Sequence, residues 1–251
     1  MKTTINGIDI NYERAGTGRP VLLLHGWGAS IEAMRPILNY VVHIGREAVA
    51  LDFPGFGQSC EPMEPWGVTE YAALTRSFIQ EQGLYGCDVI CHSFGGRVTI
   101  MLAAENESIF GKLVMVDAAG VRPKRGFGYY FKTFTYKLGK RVAHCKLLDR
   151  CFKLSEKQKN AGSADYRALS GVMRATFVKV VNEDLTKKLD NIKNETLLVW
   201  GSDDHETPLY MAHIMEKRIK NAGLAVINGA GHFSYVDDYQ RFCSIIKIIL
   251  L

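Results

Sequence analysis

The sequence predicts an α/β architecture: a mostly parallel, doubly wound sheet that opens on an N-terminal antiparallel hairpin and is interrupted by one inserted segment. Three observations predict it. Short, mostly apolar runs recur along the chain, as strands covered on both faces do. Helix-compatible segments alternate with them. The alternation lapses once, between about Gly120 and Asn191, where amphipathic stretches rich in Tyr, Phe and Lys run without a core strand.

Taken in order, Thr3 to Tyr12 alternates apolar and polar residues about Asn6-Gly7, a strong hairpin signal. Core strands are expected at Pro20–Leu24, Ala48–Leu51, Cys87–Cys91, Lys112–Val116, Thr196–Trp200 and Leu224–Ile227. Helices are expected at Ala33–Tyr40, Thr69–Gln82, Gly95–Asn106, Leu209–Asn221 and Asp238–Leu250. Right-handed crossovers put such helices on both faces of the sheet. Asp237 or Asp238 can cap the last helix, whose Phe242, Ile245, Ile246 and Ile249 share one face. Residues 1–119 and 192–251 are thus expected to form the core, and 120–191 an insertion.

A chain of 251 residues, 47% hydrophobic and 23% charged, is large enough for one sizeable core and excludes disordered and fibrous classes. The polar start Met1-Lys-Thr-Thr-Ile-Asn-Gly-Ile-Asp9 offers no apolar stretch for a secretory signal, so a cytoplasmic protein is expected. Ile245 to Leu251 is far too short to span a bilayer, and no stable membrane insertion is expected. The six cysteines include no Cys-x-x-Cys pair, which favours reduced thiols over disulfides or zinc. No histidine pair has zinc-protease spacing, and no metal is expected.

Charge is unevenly spread. Between Val121 and Asn160 stand twelve lysines and arginines against Asp149 and Glu156, a local +10 in a chain of net charge +5. A solvated helical face accounts for this. A local positive field that attracts an anionic substrate, an acidic carrier or a membrane surface also accounts for it. The segment contains no nucleic-acid-binding motif, and no nucleic-acid role is expected.

The chemistry centres on Ser93, in Asp88-Val-Ile-Cys-His-Ser93-Phe-Gly-Gly-Arg97, where an apolar strand stops and a helix begins. Small residues stand where a sharp strand-turn-helix elbow has to pass. A serine before a helix is by default an N-cap, but that leaves the glycines and two later motifs unexplained. Asp204 lies in Gly201-Ser-Asp-Asp204-His-Glu-Thr-Pro208, and His232 in Gly229-Ala-Gly-His232-Phe. A serine hydroxyl is a poor nucleophile unless a base takes its proton and a third group orients that base.

The elbow, these two motifs and the chain order Ser, Asp, His resemble the α/β-hydrolase superfamily, over nearly the whole chain. The resemblance implies the α/β-hydrolase fold with residues 120–191 as its inserted α-helical lid, and with Ser93 as nucleophile, His232 as base and Asp204 as orienting acid. The pattern Gly-x-x-Asp-x-x-x-Pro selects Asp204 over Asp203. Asp117, closing the sixth strand, is a rival, because some members carry the acid there. The loop Leu24-His25-Gly26-Trp27-Gly28 is similar to the family's His-Gly-x loop, so backbone N–H groups of Trp27 and Phe94 are the expected oxyanion donors. Asp52-Phe-Pro-Gly55-Phe-Gly57-Gln-Ser59 is similar to a loop that marks the fold. Cys91 stands where glycine is common at the elbow, and its side chain is expected to point into packed structure.

The expected activity is hydrolysis of carboxylic esters, or thioesters, of small or medium acyl groups through a Ser93 acyl-enzyme. No cofactor is implied. The partner is a small-molecule acyl substrate, anionic or carrier-bound if the basic segment reads it. His25, Tyr130, Phe134, Met173 and Phe177 are candidate substrate contacts, with His25 and His92 also read as supports for the oxyanion loop and the elbow. A carbon-carbon bond hydrolase is an alternative, although its His-Gly-Ser-Gly-Pro loop is not found here. A ligand-binding protein on the same fold is another, although a pure binder has no need of nucleophile, base and acid together.

Overall fold

Asn6 and Gly7 turn the first hairpin with φ of 51° and 82°, the doubly positive geometry of the turn that matches the twist of paired strands. The hairpin joins β1 (Lys2–Ile5) to β2 (Ile8–Ala15), and β2 in turn pairs antiparallel with β4 (Glu47–Leu51). In a computed structural model describing residues 1–106, 108–123 and 171–251, all further pairings are parallel. They involve β3 (Pro20–Leu24), β5 (Cys87–His92), β6 (Phe110–Val116), β7 (Thr196–Gly201) and β8 (Ala222–Ile227). The eight-stranded order is β1-β2-β4-β3-β5-β6-β7-β8.

Alternate residues of each central strand enter opposite layers, as a period of two demands. Leu22, Leu24, Val89, Cys91, Leu113, Met115, Leu198 and Trp200 face one layer. There they meet α2 (Val68–Glu81), α3 (Phe94–Glu105), α4 (Gly171–Asn182) and α5 (Tyr210–Arg218). Val21, Leu23, Ile90, Val114, Val116 and Val199 face the other layer. That layer holds α1 (Arg35–His43), the short α6 (Ser234–Asp237) and α7 (Tyr239–Leu250). The sheet is therefore doubly wound, with its core on both faces.

Local differences from the expected elements have local causes. The first helix begins as a 3-10 turn, Ile31–Met34, on a Ser30 cap, and Pro36 sits in the first turn of α1 where no N–H is required. The fifth ends at Arg218, because Ile219 turns extended and buries its side chain. Asp238 caps α7 by accepting from Arg241 N at 3.1 Å. Phe242, Ile246 and Ile249 of α7 are buried against the sheet, with Ile245 packed beside them. Tyr130, Phe134 and most of the basic stretch lie outside the described residues.

This architecture puts His25, Asp52, Ser93, Asp117, Asp204 and His232 just beyond the carboxyl ends of β3, β4, β5, β6, β7 and β8. That edge of an open α/β sheet is where loops can meet around a ligand.

Candidate active site

Ser93 stands between β5 and α3 with φ 47° and ψ −109°, a conformation that costs a non-glycine residue about 1–3 kcal/mol and persists only where its surroundings enforce it. They do so here. Ser93 N donates to Val116 O at 3.1 Å, and Ser93 O accepts from Gly96 N at 2.9 Å and Ala119 N at 2.8 Å. The helix can start this close to β3 only because residue 95 is glycine: a Cβ there would lie 2.3 Å from Leu24 O. Gly96 has the same role against Ala118, whose Cβ would be 2.6 Å away. Cys91 is fully buried in the layer beneath, and burial pushes its thiol up to about 12, so it stays protonated.

Ser93 Oγ lies 2.9 Å from His232 Nε2, and His232 Nδ1 lies 2.8 Å from Asp204 Oδ2. Asp204 accepts only, so the proton of this second bond resides on Nδ1 and leaves Nε2 free to accept from the serine. Burial alone would raise the Asp204 pKa, but bonds from His232 and Thr207 prevail and hold it below the usual carboxylate value. Burial alone would lower that of His232, but the bond and charge of Asp204 prevail and raise it.

Thr207 completes the acid loop. Its hydroxyl donates to Asp204 Oδ2 at 2.6 Å, and Asp204 Oδ1 accepts from the amides of Glu206 and Thr207 at 2.8 and 2.9 Å. The indole of the buried Trp200 donates to Thr207 O at 2.6 Å from beneath. Thr207 was not among the expected site residues. The spacing Asp-x-x-Thr, in which an aspartate caps amides two and three residues on, is the signal that points to it.

Asp117 is buried one strand away and does not bond the imidazole. Its carboxylate accepts from Gly201 N at 2.8 Å, Ser234 N at 3.1 Å and Ser234 Oγ at 2.6 Å. Burial pushes its pKa up to about 7 despite those bonds. The geometry thus pairs His232 with Asp204, and Asp117 ties β7 to the loop that carries His232.

Ser93 opens into a cleft of about 190 Å³ lined by Trp27, Phe94, Arg97, Phe177, Glu206 and Met211, among others. The Trp27 ring meets those of Phe56, Phe94 and Phe177 at 4.8, 5.4 and 5.3 Å between centroids. Neither the Trp27 nor the Phe94 amide donates to a protein acceptor among the described residues.

Two of the expected substrate contacts lie elsewhere. His25 is fully buried, its Nδ1 donating to Gly26 O at 2.7 Å and its Nε2 accepting from Phe53 N at 2.9 Å. Both ring nitrogens are therefore spent on joining the loops after β3 and β4. Met173 packs its thioether over Gly55, where a Cβ would come within 2.4 Å of it, and does not line the cleft. Phe177 does line it; Tyr130 and Phe134 lie outside the described residues. No group of three or more His, Cys, Asp or Glu side chains able to hold a metal ion occurs among the described residues.

Comparison with known proteins agrees with this arrangement of the sheet. The chain is 24% identical over 251 residues to the AB hydrolase superfamily protein YisY of Bacillus subtilis, covering 93% of this chain and 92% of that one. It is 23% identical over 252 residues to a 2-hydroxy-6-oxo-6-phenylhexa-2,4-dienoate hydrolase of Comamonas testosteroni, covering 93% and 88%. Among solved structures, an esterase from Exiguobacterium antarcticum superposes with a TM-score of 0.76 at 24% identity, covering 99% of both chains. The family model for the alpha/beta hydrolase fold matches residues 19–239, and the chain belongs to that family.

Proposed function

We propose that the protein is a serine hydrolase of carboxylic esters, with small or medium acyl groups and thioesters within its chemical reach. The observation that carries this reading is the continuous line Ser93 Oγ, His232 Nε2, His232 Nδ1, Asp204 Oδ2, with spacings of 2.9 and 2.8 Å. In this reading Ser93 Oγ attacks the acyl carbon as its proton passes to His232 Nε2. The imidazolium is stabilised by Asp204. The carbonyl oxygen, now an oxyanion, accepts from the free amides of Trp27 and Phe94, the latter at the positive end of α3. The carbon-oxygen bond then breaks, and His232 returns the proton to the departing alkoxide. Water repeats the cycle on the acyl-enzyme and releases the acid.

The apolar wall of Trp27, Phe94, Phe177, Val180 and Val181 suits an acyl chain. Residues 120–191 are read as the covering lid, whose described part supplies Phe177, Val180 and Val181. No described helix is long and apolar enough to cross a membrane.

Steady-state hydrolysis of p-nitrophenyl esters and acyl thioesters from acetyl to palmitoyl, with Ser93→Ala as control, tests the reading. Turnover should fall more than about 10⁴-fold in the variant. Absence of turnover with every ester, together with no labelling of Ser93 by a fluorophosphonate, would overturn it. A second reading, carbon-carbon bond hydrolysis, draws support from the similarity to the Comamonas testosteroni enzyme. It predicts turnover of a ring-cleavage diketone in excess of any simple ester.

A further inference from the structure

Arg97 stands out among the cleft-lining residues. It lies four residues after Ser93, one helical turn on and on the same side of α3, so both side chains border the same space. It is only 6% exposed. Among the described residues its guanidinium makes one hydrogen bond, from Nη1 to the backbone oxygen of Glu183 at 2.7 Å, although the group has five donors. No carboxylate among the described residues forms an ion pair with it. The Glu183 carboxylate accepts from Val68 N and that of Asp184 from the amide and hydroxyl of Thr186, while both charges act on Arg97 through space. Burial draws the Arg97 pKa down only to about 10, so the group keeps its charge at neutral pH.

One hydrogen bond to a neutral carbonyl, with the carboxylates of Glu183 and Asp184 acting only through space, leaves the buried guanidinium with donors to spare. Its best partner is planar and anionic, a carboxylate that accepts two parallel N–H bonds. Among the described residues that line the cleft, the other charged side chain is Glu206, which is 69% exposed and lies 3.6 Å from His232 Nε2. Water screens that carboxylate far more than it screens Arg97.

We propose that Arg97 forms an anion-binding subsite in the cleft beside Ser93, and that the preferred substrate is an ester carrying a second, free carboxylate. The proposal rests on the hydrolase reading above, in that it names the substrate class of the same site. The ester lies at Ser93 and the free carboxylate at Arg97. An uncharged isostere leaves the guanidinium as poorly satisfied as before, so selectivity arises at no cost to the chemistry.

The test compares monomethyl glutarate with its neutral isostere, the methyl ester in which the free carboxylate is a carboxamide. Acid release is followed for the wild type, Arg97→Gln and Arg97→Lys, and binding of both compounds to Ser93→Ala is followed by calorimetry. The wild type should favour the carboxylate in kcat/KM by about 10- to 100-fold. Arg97→Gln should bring the two esters to nearly equal kcat/KM, and Arg97→Lys should keep part of the preference. A wild-type ratio near one overturns the proposal without recourse to any variant. So does a preference that survives in Arg97→Gln, or an equal loss on both substrates, which marks Arg97 as a tie to Glu183 alone. Carboxylate-selective binding to Ser93→Ala without turnover by the wild type would sustain the subsite and overturn the hydrolase reading. Turnover of both esters at equal rates would do the reverse.

Discussion

The ring of His92 reaches the backbone of His232: His92 Nε2 donates to His232 O at 2.8 Å. The residue before Ser93 thus holds the loop that carries His232. A carbonyl can only accept, so the proton is on Nε2, and Nδ1 is buried without a partner among the described residues. Burial first, then the neighbouring His232, holds the His92 pKa down to about 3, so the ring is neutral at working pH. Its face also packs against Phe233 and Tyr235.

His92→Phe keeps the ring packing and removes the bond. The His232 loop should then lose its register with Ser93. The expected outcome is a fall in kcat of roughly 10- to 100-fold, the scale of a misplacement near 1 Å, with little change in KM. Steady-state kinetics on the best ester checks it, and an unchanged kcat would show that the loop holds itself.

Asp204 and Asp117 make opposite predictions. Asp204→Asn places an amide against Nδ1 and disturbs the tautomer, so kcat should drop by about 10⁴-fold while the protein stays folded. Asp117→Asn removes an acceptor from Ser234 and should cost stability, with activity per folded molecule within about tenfold of wild type. Thermal melts alongside kcat separate the two. Equal loss of kcat in both would mean that the acids share the role.

In the proposed mechanism His232 must be neutral to accept the Ser93 proton. Because Asp204 holds the His232 pKa above its ordinary value, kcat/KM should rise with pH through a midpoint above 6.5. Glu206 adds to the upward shift from the exposed side. Glu206→Gln should therefore move the midpoint to lower pH, and added salt should shrink the difference between the two proteins. A pH-rate profile at low and high ionic strength decides it, and a midpoint that moves upward would contradict the geometry.

Gly95→Ala would put a methyl 2.3 Å from Leu24 O, a backbone atom that cannot step aside. We expect a loss of about 1–3 kcal/mol of stability, read by urea denaturation. Slower fluorophosphonate labelling of Ser93 should accompany it, because α3 and the end of β3 can no longer approach so closely.

The fold was legible wherever the signal is local. Asn6-Gly7 dictates a hairpin because few residues accept two successive positive φ values. Short apolar runs such as Pro20–Leu24 announce strands covered on both faces, and β3 has those very bounds. The elbow at Ser93 was legible for the same reason, since small residues after an apolar run admit a turn that others block. Helix ends were less so: Arg218 ends α5 because Ile219 finds a buried place, which depends on the packed layer and not on the neighbouring residues.

What the sequence determined by itself, then, is the class of sheet, the hairpin, the elbow and the residue types available at the strand ends. Only the tertiary structure decided how those residues pair. Asp117 and Asp204 both close parallel strands, and the choice between them rests on where the loop after β8 sets His232, at 2.8 Å from Asp204. The same holds for His25, whose ring serves two loops, and for Arg97, whose guanidinium donates to the carbonyl of Glu183 just past α4. Local sequence governs backbone conformation through sterics and periodicity. Partners of side chains more than a hundred residues apart, as Ser93 and His232 are, are set by the closure of the whole sheet.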